Sequence, residues 1–597
     1  MRALRRSAPA LLLAAWAAAL LHWTWLTWPN VLIDFGRELY VAWQLSEGAR
    51  LYADVEHLNG PLSPYWNALV LRVLGVGIRS IAAANLAAGA VIVALLYRIL
   101  ARIGDPGSAT FACAVFLVLF GFGDFNGVGN YNYVTPYSHE LTHGLLLGLA
   151  GIACLDLWVR GRRTGWLAAA GLALGLAFLT KPEIFAASAC ALAAGLAAAP
   201  SPRGRSLFVL LAAAALPPLL ALVLLAVRMP LGVAVDGMLG AWTGALRPGV
   251  AGLSFYRAAM GADRLDASLL RMAGWALCLA VLLGAAAWLG RRLAPTPRRA
   301  RAAAVAILCA VPVLGVGLRD RIPWADVAVA YPVALAALLV TLLRRRPKDG
   351  ETARWALKLV FLVFSSALLG KIILNAHLGH YGFVLAAPAT CALIVAGLAW
   401  APRALERAGA DGAPLRALVL GLVVALALVY GNATRTQVAA KGFLVRAGGD
   451  ALRTQGMFGR HVDRALRDLE VRLADGDTLL VLPDGAMLNF LLRRRNPSPY
   501  VNFMPPEVMI FGEERILAAF EASPPDAVLL VHRDTGEYGA RFFGTDYGQQ
   551  LMAFVRRNYE TAMRSGGPPL RPGTRFGVEV LVPRRPADPP AEGPAGR

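Results

Sequence analysis

Runs of about 20 apolar residues, the length that crosses the hydrocarbon core of a bilayer, recur through the first three-quarters of this 597-residue chain. Only 16% of its residues are charged, 57% are hydrophobic, and mean hydropathy is +0.54. A water-facing surface needs far more charge than this, so the apolar excess must face lipid. The fold class is a polytopic α-helical membrane protein. Spans are expected near 8–28, 80–100, 107–123, 138–158, 165–180, 184–199, 206–227, 270–290, 302–318, 325–343, 357–375, 381–400 and 415–430.

A formal charge of +21 would suit a nucleic-acid partner, but its distribution argues otherwise. The basic residues form short clusters at 2–6, 160–163, 202–205, 291–301 and 344–348, each between apolar runs. Loops held on the cytoplasmic side look like this, and no nucleic acid is expected. Alternating the thirteen spans puts every cluster inside, with the N-terminus cytoplasmic and the C-terminus outside. The first apolar stretch has the make-up of a signal peptide. It runs on, however, into Trp23, Trp25 and Trp28, an interfacial aromatic belt that marks a retained helix. The six cysteines are scattered along apolar segments without a C-x-x-C pair, so they read as packing residues.

Composition divides the chain into a membrane domain, 1–430, and an α/β domain outside the membrane, 431–584, followed by a disordered Pro-rich tail, 585–597. Residues 29–78 form a first external loop with short helices. Short Val/Leu runs at 477–483, 526–533 and 576–583 predict buried strands, with helices over "AMLNFLLRR" and "YGQQLMAFVRRNY". The stretches "LPDG" and "HRDTGEYG" read as polar turns at strand ends.

Unusual polar residues gather on the outer face. Asp34 and Glu38 follow the first span; Asp54, Glu56 and His57 precede "NGPLSPYW". Asp34 suits two roles equally, as N-cap of the next helix or as a carboxylate taking a proton from an incoming hydroxyl. The stretch "YSHELTHG" holds His139-Glu140-Leu141-Thr142-His143, the H-E-x-x-H spacing that sets two imidazoles one helical turn apart. A zinc protease also needs a third ligand. Asp156 is more than three turns further on, and "VDG" (235–237) and "PDG" (483–485) fall in a loop and in the C-terminal region.

The first loop carries an acidic residue just after the first span (Asp34), then Gly48-Ala49-Arg50-Leu51-Tyr52-Ala53-Asp54, then Asn59-Gly60-Pro61-Leu62-Ser63-Pro64-Tyr65-Trp66. Further on stands "GLALGLAFLTKPEIF", 171–185. These segments resemble those of the GT-C membrane glycosyltransferases, in the family 39-like group of protein mannosyltransferases and lipid A aminoarabinose transferases. The resemblance covers the membrane part and implies a GT-C type fold of about 13 transmembrane helices. It implies a hexosyl- or pentosyltransferase of the bacterial cell envelope, working in the inner membrane. Such an enzyme moves a sugar, with inversion, from a polyprenyl-phosphate donor to a lipid, polysaccharide or protein acceptor on the outer face.

By the same resemblance Asp34 is the general base and Glu140 the second acidic residue, with Asp124 a weaker candidate for that place. A leaving phosphate needs positive charge or donors aimed at it. Arg37, Lys181, Lys371, His377, His380 and Tyr381 are the external candidates, and Glu38, Asp54 and Asn59 complete the substrate-binding set. Two departures stand out: the group's usual lysine is Asn59 here, and the acidic residue after Asp34 is displaced to Glu38. No cofactor is required, although His139 and His143, with Asp34 and Glu140, could bind a divalent ion (Mg, Mn or Zn). The competing readings are a zinc metalloprotease using His139, Glu140 and His143, and a flippase for a lipid-linked glycan. A transporter should carry charges within its spans and repeat symmetry, and neither is visible.

Overall fold

The computed structural model describes residues 2–126, 131–199, 203–245, 248–345 and 351–584. The expected disordered tail, 585–597, lies outside them. Among the described residues nine helices are long and apolar enough to cross a membrane. Four shorter apolar helices, Ser7–Trp23, Pro106–Gly121, Thr164–Phe178 and Pro182–Ala198, stand at other positions where spans are expected.

The helices that build the site are α1 (Arg2–Trp23), α2 (Phe35–Ser46), α3 (Leu62–Leu74), α4 (Ile78–Ile103), α5 (Pro106–Phe116), α6 (His139–Gly161), α7 (Thr164–Phe178), α8 (Pro182–Ala198) and α9 (Arg203–Ala226). Their packing follows from small residues. Gly171 and Gly175, four apart on one face of α7, lie so close to α9 that a Cβ at either would collide with the Leu210 or Ala214 carbonyl. Helix α6 is the central one: 67% of its apolar window is enclosed, against 11% for α9, which turns most of its surface outward. The α4–α5 turn is held by a capping box between Asp105 and Ser108, with Pro106 in the first turn. There Arg354 and Trp400 donate to the carbonyls of Gly104 and Ile103, both at 2.7 Å, and Arg403 also reaches the Gly104 carbonyl at 3.3 Å.

The last apolar helix runs from Ala413 to Ala440 and leads into a hairpin of β1 (Phe443–Ala447) and β2 (Asp450–Thr454). The hairpin turns on Gly448-Gly449, both at positive φ (55° and 82°), where other residues are strained. A four-stranded sheet follows in the order β3-β4-β6-β5, from β3 (Leu479–Leu482), β4 (Ala527–Val531), β5 (Tyr559–Gly566) and β6 (Gly577–Pro583). Strands β3 and β4 are parallel; the other pairings are antiparallel. The three apolar strands expected from the sequence are β3, β4 and β6, and both expected helices are present, as Ala486–Leu492 and Gln549–Asn558. The hairpin and β5 were not foreseen. β5 is polar along its length because it forms the sheet edge.

This C-terminal region does not stand apart from the membrane part. Phe35, Leu39, Trp43 and Leu51 of the first loop share one hydrophobic core with Val481, Met487, Phe490, Leu529 and Val580. Gly36 is pressed against the Met487 backbone with no room for a side chain. Glu56 N–H donates to the Pro499 carbonyl (3.0 Å), and the Asn496 N–H donates to the Tyr40 hydroxyl (2.9 Å). Asp124, the weaker acidic candidate, is spent at this junction. It pairs in a buried position with Lys441, at 2.5 Å, and Lys441 also donates to the Thr27 carbonyl at 2.7 Å. That pair ties the end of the last membrane helix to the end of α1, so Asp124 is a structural clamp.

Candidate active site

Two sequence segments that carry the family resemblance meet through the backbone. Gly60 N–H donates to the Thr180 carbonyl (3.0 Å) and Leu62 N–H to the Leu179 carbonyl (3.1 Å). Only glycine allows this approach, because a Cβ at position 60 would strike the Leu179 carbonyl. Lys181, in the α7–α8 turn, is thereby brought beside Asn59.

Asp34 precedes α2 with φ 62° and ψ −82°, a backbone conformation that non-glycine residues rarely adopt. Its side chain makes no capping hydrogen bond to α2, which removes the N-cap explanation. Burial raises its pKa above the ordinary carboxylate value, opposed by Arg37 and Arg533, while Glu38 and Glu537 add to the rise. A strained, uncapped carboxylate in a polar recess is the pattern of a functional group.

The H-E-x-x-H residues are fully engaged in holding α6 in place. Glu38 of α2 accepts the His139 backbone N–H (3.3 Å) and meets its ring Nδ1 at 3.0 Å. The Asn85 amide nitrogen donates to the Val134 carbonyl (2.9 Å) and faces His139 Nε2 at 3.0 Å. An amide nitrogen only donates, so Nε2 is the acceptor and Nδ1 carries the proton. Glu140 is enclosed completely and accepts from His57 Nε2 (3.0 Å) and from the Ser138 hydroxyl (2.6 Å). His143 Nδ1 meets the Ser63 hydroxyl at 3.0 Å.

The protease and divalent-ion readings need free ligand atoms at this position. The spacing does put both imidazoles on one face, with ring centroids 5.7 Å apart. But the His139 lone pair is occupied by Asn85, and both oxygens of Glu140 are held. Among the described residues no group of three or more His, Cys, Asp or Glu side chains is arranged to hold a metal ion. The residues present therefore do not fit a metal at this position. Glu140 acts on the site by fixing the His57 segment against α6.

On the other side of the recess stand the cations. Lys371 pairs with Glu183 (2.9 Å) and lies over the Tyr381 ring, 5.4 Å from its centroid. Lys181 lies over Tyr137 at 5.2 Å and makes no such pair; burial holds its pKa below the ordinary lysine value. The Tyr137 ring packs against Tyr131 (centroids 5.5 Å apart) and Tyr381 (6.4 Å), which joins the aromatic residues under the two lysines. Arg37 reaches Glu38 (3.8 Å) and Glu507 (3.6 Å).

Three expected substrate contacts are placed elsewhere or otherwise occupied. His380 Nε2 donates to the Ala259 carbonyl (3.1 Å), and its Nδ1 accepts from Gly382 N–H (2.9 Å), which leaves no ring nitrogen for a phosphate. Burial pushes its pKa down to about 3. It is a strap holding the 254–260 segment. His377 meets His380 edge to face, with ring centroids 5.1 Å apart, at the same strap. Asp54 is bound by Arg50 through two oxygens (2.6 and 2.9 Å) at an exposed corner, away from Asp34.

The residues that sequence reasoning missed come from the C-terminal region. Asp484 follows β3 by two residues and Arg533 follows β4 by two. Arg533 and Glu537 bear on the charge of Asp34, and Asp34 in turn raises the pKa of Asp484. They belong to the "LPDG" and "HRDTGEYG" turns. Parallel strands send their carboxyl ends to the same edge, where α/β sheets bind ligands. That rule was the available signal.

A family model described as dolichyl-phosphate-mannose-protein mannosyltransferase matches residues 59–231. The resemblance to the GT-C membrane glycosyltransferases read from the first loop and the "TKPE" segment is borne out. No curated protein matches the chain in sequence. Among solved structures, the oligosaccharyltransferase of Archaeoglobus fulgidus tethered to an acceptor peptide is 12% identical, with TM-score 0.49, over 98% of this chain and 76% of that one. ArnT from Cupriavidus metallidurans bound to undecaprenyl phosphate is 13% identical, with TM-score 0.40, over 96% of this chain and 98% of that one.

Proposed function

We propose that the protein is an inverting glycosyltransferase that takes a sugar from a polyprenyl-phosphate donor and passes it to an acceptor hydroxyl at the outer face of the cytoplasmic membrane. In this reading the N-terminus is cytoplasmic and the C-terminal region lies outside. The acceptor oxygen attacks the anomeric carbon, its proton passes to Asp34, and the bond from that carbon to the phosphate oxygen breaks. Lys181 and Lys371 take up the charge that develops on the departing phosphate, with Tyr137 and Tyr381 beneath them. Arg37 keeps Asp34 ionised. Glu38, His139, Glu140 and His57 hold the first loop and α6 in register, so that base and cations face one recess. No step is routed through a metal.

The observation that carries this reading is Asp34 itself: released from capping and held at φ 62°, where non-glycine residues are strained. The match of residues 59–231 to the mannosyltransferase family supports the donor class. Asp34→Asn keeps the shape and removes the base. Transfer from a polyprenyl-phosphate sugar should then fall by about a hundredfold or more, with the protein still folded and still binding undecaprenyl phosphate. A fully active Asp34→Asn enzyme would overturn the assignment. Comparing cell-envelope glycans with and without the protein would identify sugar and acceptor.

A further inference from the structure

The C-terminal region puts more into the recess than a lid requires. Strands β3 and β4 pair in parallel register, Leu479 to Ala527 through Leu482 to Leu530, so their carboxyl ends lie at the same edge of the sheet. Asp484 and Arg533 sit at those ends. Glu507, in the first turn of the helix Pro505–Phe511, reaches Arg37 at 3.6 Å. Arg533 meets Glu537 at 3.2 Å, and the Glu537 carbonyl is in turn held by the Ser254 hydroxyl at 2.7 Å.

Several polar atoms around this wall are buried and have no hydrogen-bond partner among the described residues: Arg533 Nε, Glu507 Oε2, Asn502 Oδ1 and Glu38 Oε1. The Glu38 side chain is 3% exposed and stands next to Arg37. Buried donors and acceptors are nearly always paired in a finished structure. Unpaired ones converging from two parts of the fold point to a polar ligand that supplies the partners. An aromatic band runs beside them, Tyr538 against Phe255 (5.0 Å) and Phe255 against Tyr381 (5.3 Å), offering apolar faces with polar edges.

The charges around Asp34 select the ligand. Asp34, Glu38, Asp484, Glu507 and Glu537 outnumber Arg37 and Arg533. The two lysines lie over the Tyr137 and Tyr381 rings. A second anion on the Asp34 side would face net negative charge, whereas hydroxyls and amines find acceptors.

We propose that Asp484, Glu507 and Arg533 form the acceptor half of the site, and that the acceptor they take is a neutral or amine-bearing sugar, not a phosphorylated or carboxylated one. This rests on the glycosyltransferase reading above. Arg533 and Glu507 bind ring hydroxyls and Asp484 orients the attacking one toward Asp34; none of the three takes part in bond cleavage.

The test uses the full chain in lipid nanodiscs and reads ligand binding from the shift of the unfolding midpoint. The probes are undecaprenyl phosphate, methyl mannoside, methyl glucosaminide and glucose 6-phosphate, the sugars at millimolar concentration. Undecaprenyl phosphate should bind the wild type, Asp484→Asn, Glu507→Gln and Arg533→Gln alike, which also shows that each variant is folded. A methyl glycoside should bind the wild type, and its apparent affinity should weaken by about tenfold or more in Asp484→Asn and Arg533→Gln. Arg533→Lys should recover part of the loss. Binding by the mannoside would point to a neutral acceptor, and binding by the glucosaminide alone to an amine-bearing one. Glucose 6-phosphate binding as well as the glycosides would overturn the inference. So would glycoside binding that the variants leave unchanged, or none in a wild type that still binds undecaprenyl phosphate; both leave the glycosyltransferase reading standing. Failure of undecaprenyl phosphate to bind the wild type would sink that reading instead.

Discussion

The carboxylate of Glu38 receives both the backbone N–H and the ring Nδ1–H of His139, at 3.3 and 3.0 Å, from a helix 101 residues earlier in the chain. One side chain thus caps the start of α6 and sets the tautomer of its first histidine. The segment that follows α1 and the central helix α6 are locked to each other at this point.

Because the two residues act as one unit, their losses should not add. Glu38→Ala and His139→Ala should each cost about 2 kcal/mol of stability, and the double variant less than the sum by about 1 kcal/mol or more. Unfolding midpoints of the four proteins in one detergent give the coupling. Strict additivity would mean the pair is not formed.

Gly60 is a second lock, and its prediction is steric. Gly60→Ala should destabilise by about 1–3 kcal/mol, because the added methyl meets the Leu179 carbonyl and the Thr180 hydrogen bond must stretch. Gly431→Ala is the control: it lies within the last membrane helix with open space around it. There the change should be neutral or slightly stabilising. Thermal unfolding of both variants checks the contrast.

The pH dependence of transfer should report Asp34. A base works only when ionised, and burial raises this carboxyl above its usual value of 3.8. The acid limb of kcat/KM should therefore lie above the range of an ordinary aspartate, activity falling as pH drops through it. Arg533 favours the ionised form, so Arg533→Gln should move the limb to higher pH. A limb that moves to lower pH, or stays in place, would show that Arg533 does not act on the base.

Asp484 makes a separate prediction about stability. Burial pushes its carboxyl from 3.8 to about 7. The folded state therefore holds a proton that the unfolded state releases. The associated stability is complete below pH about 4 and is lost as pH rises through 7. Asp484→Asn has no such proton, so its unfolding midpoint should gain on the wild type from pH 4 to pH 8, by the equivalent of up to about 4 kcal/mol. Midpoints measured across that range decide it; a constant difference would place Asp484 in water.

What the sequence determined by itself follows from local chemistry. An apolar run of about 20 residues has one favourable environment wherever it occurs, so helices such as α4 and α6 stand where composition put them. Strands β3, β4 and β6 were legible for the same reason, each a short Val/Leu run enclosed on both faces. β5 was not, because a polar edge strand looks like a loop until its partner is known. The first-loop and "TKPE" segments were readable as pieces, and their contact through Gly60 and Thr180 was not. The roles of single polar residues were decided only by tertiary structure. His380 and Asp124 have the composition of ligands, yet partners more than 100 residues away consume them, as Ala259 and Lys441 show. Asp484 and Arg533 have the composition of turn residues, yet a parallel sheet brings them to the same edge. A side chain's chemistry is local, but whether it is free to act depends on what the fold places against it.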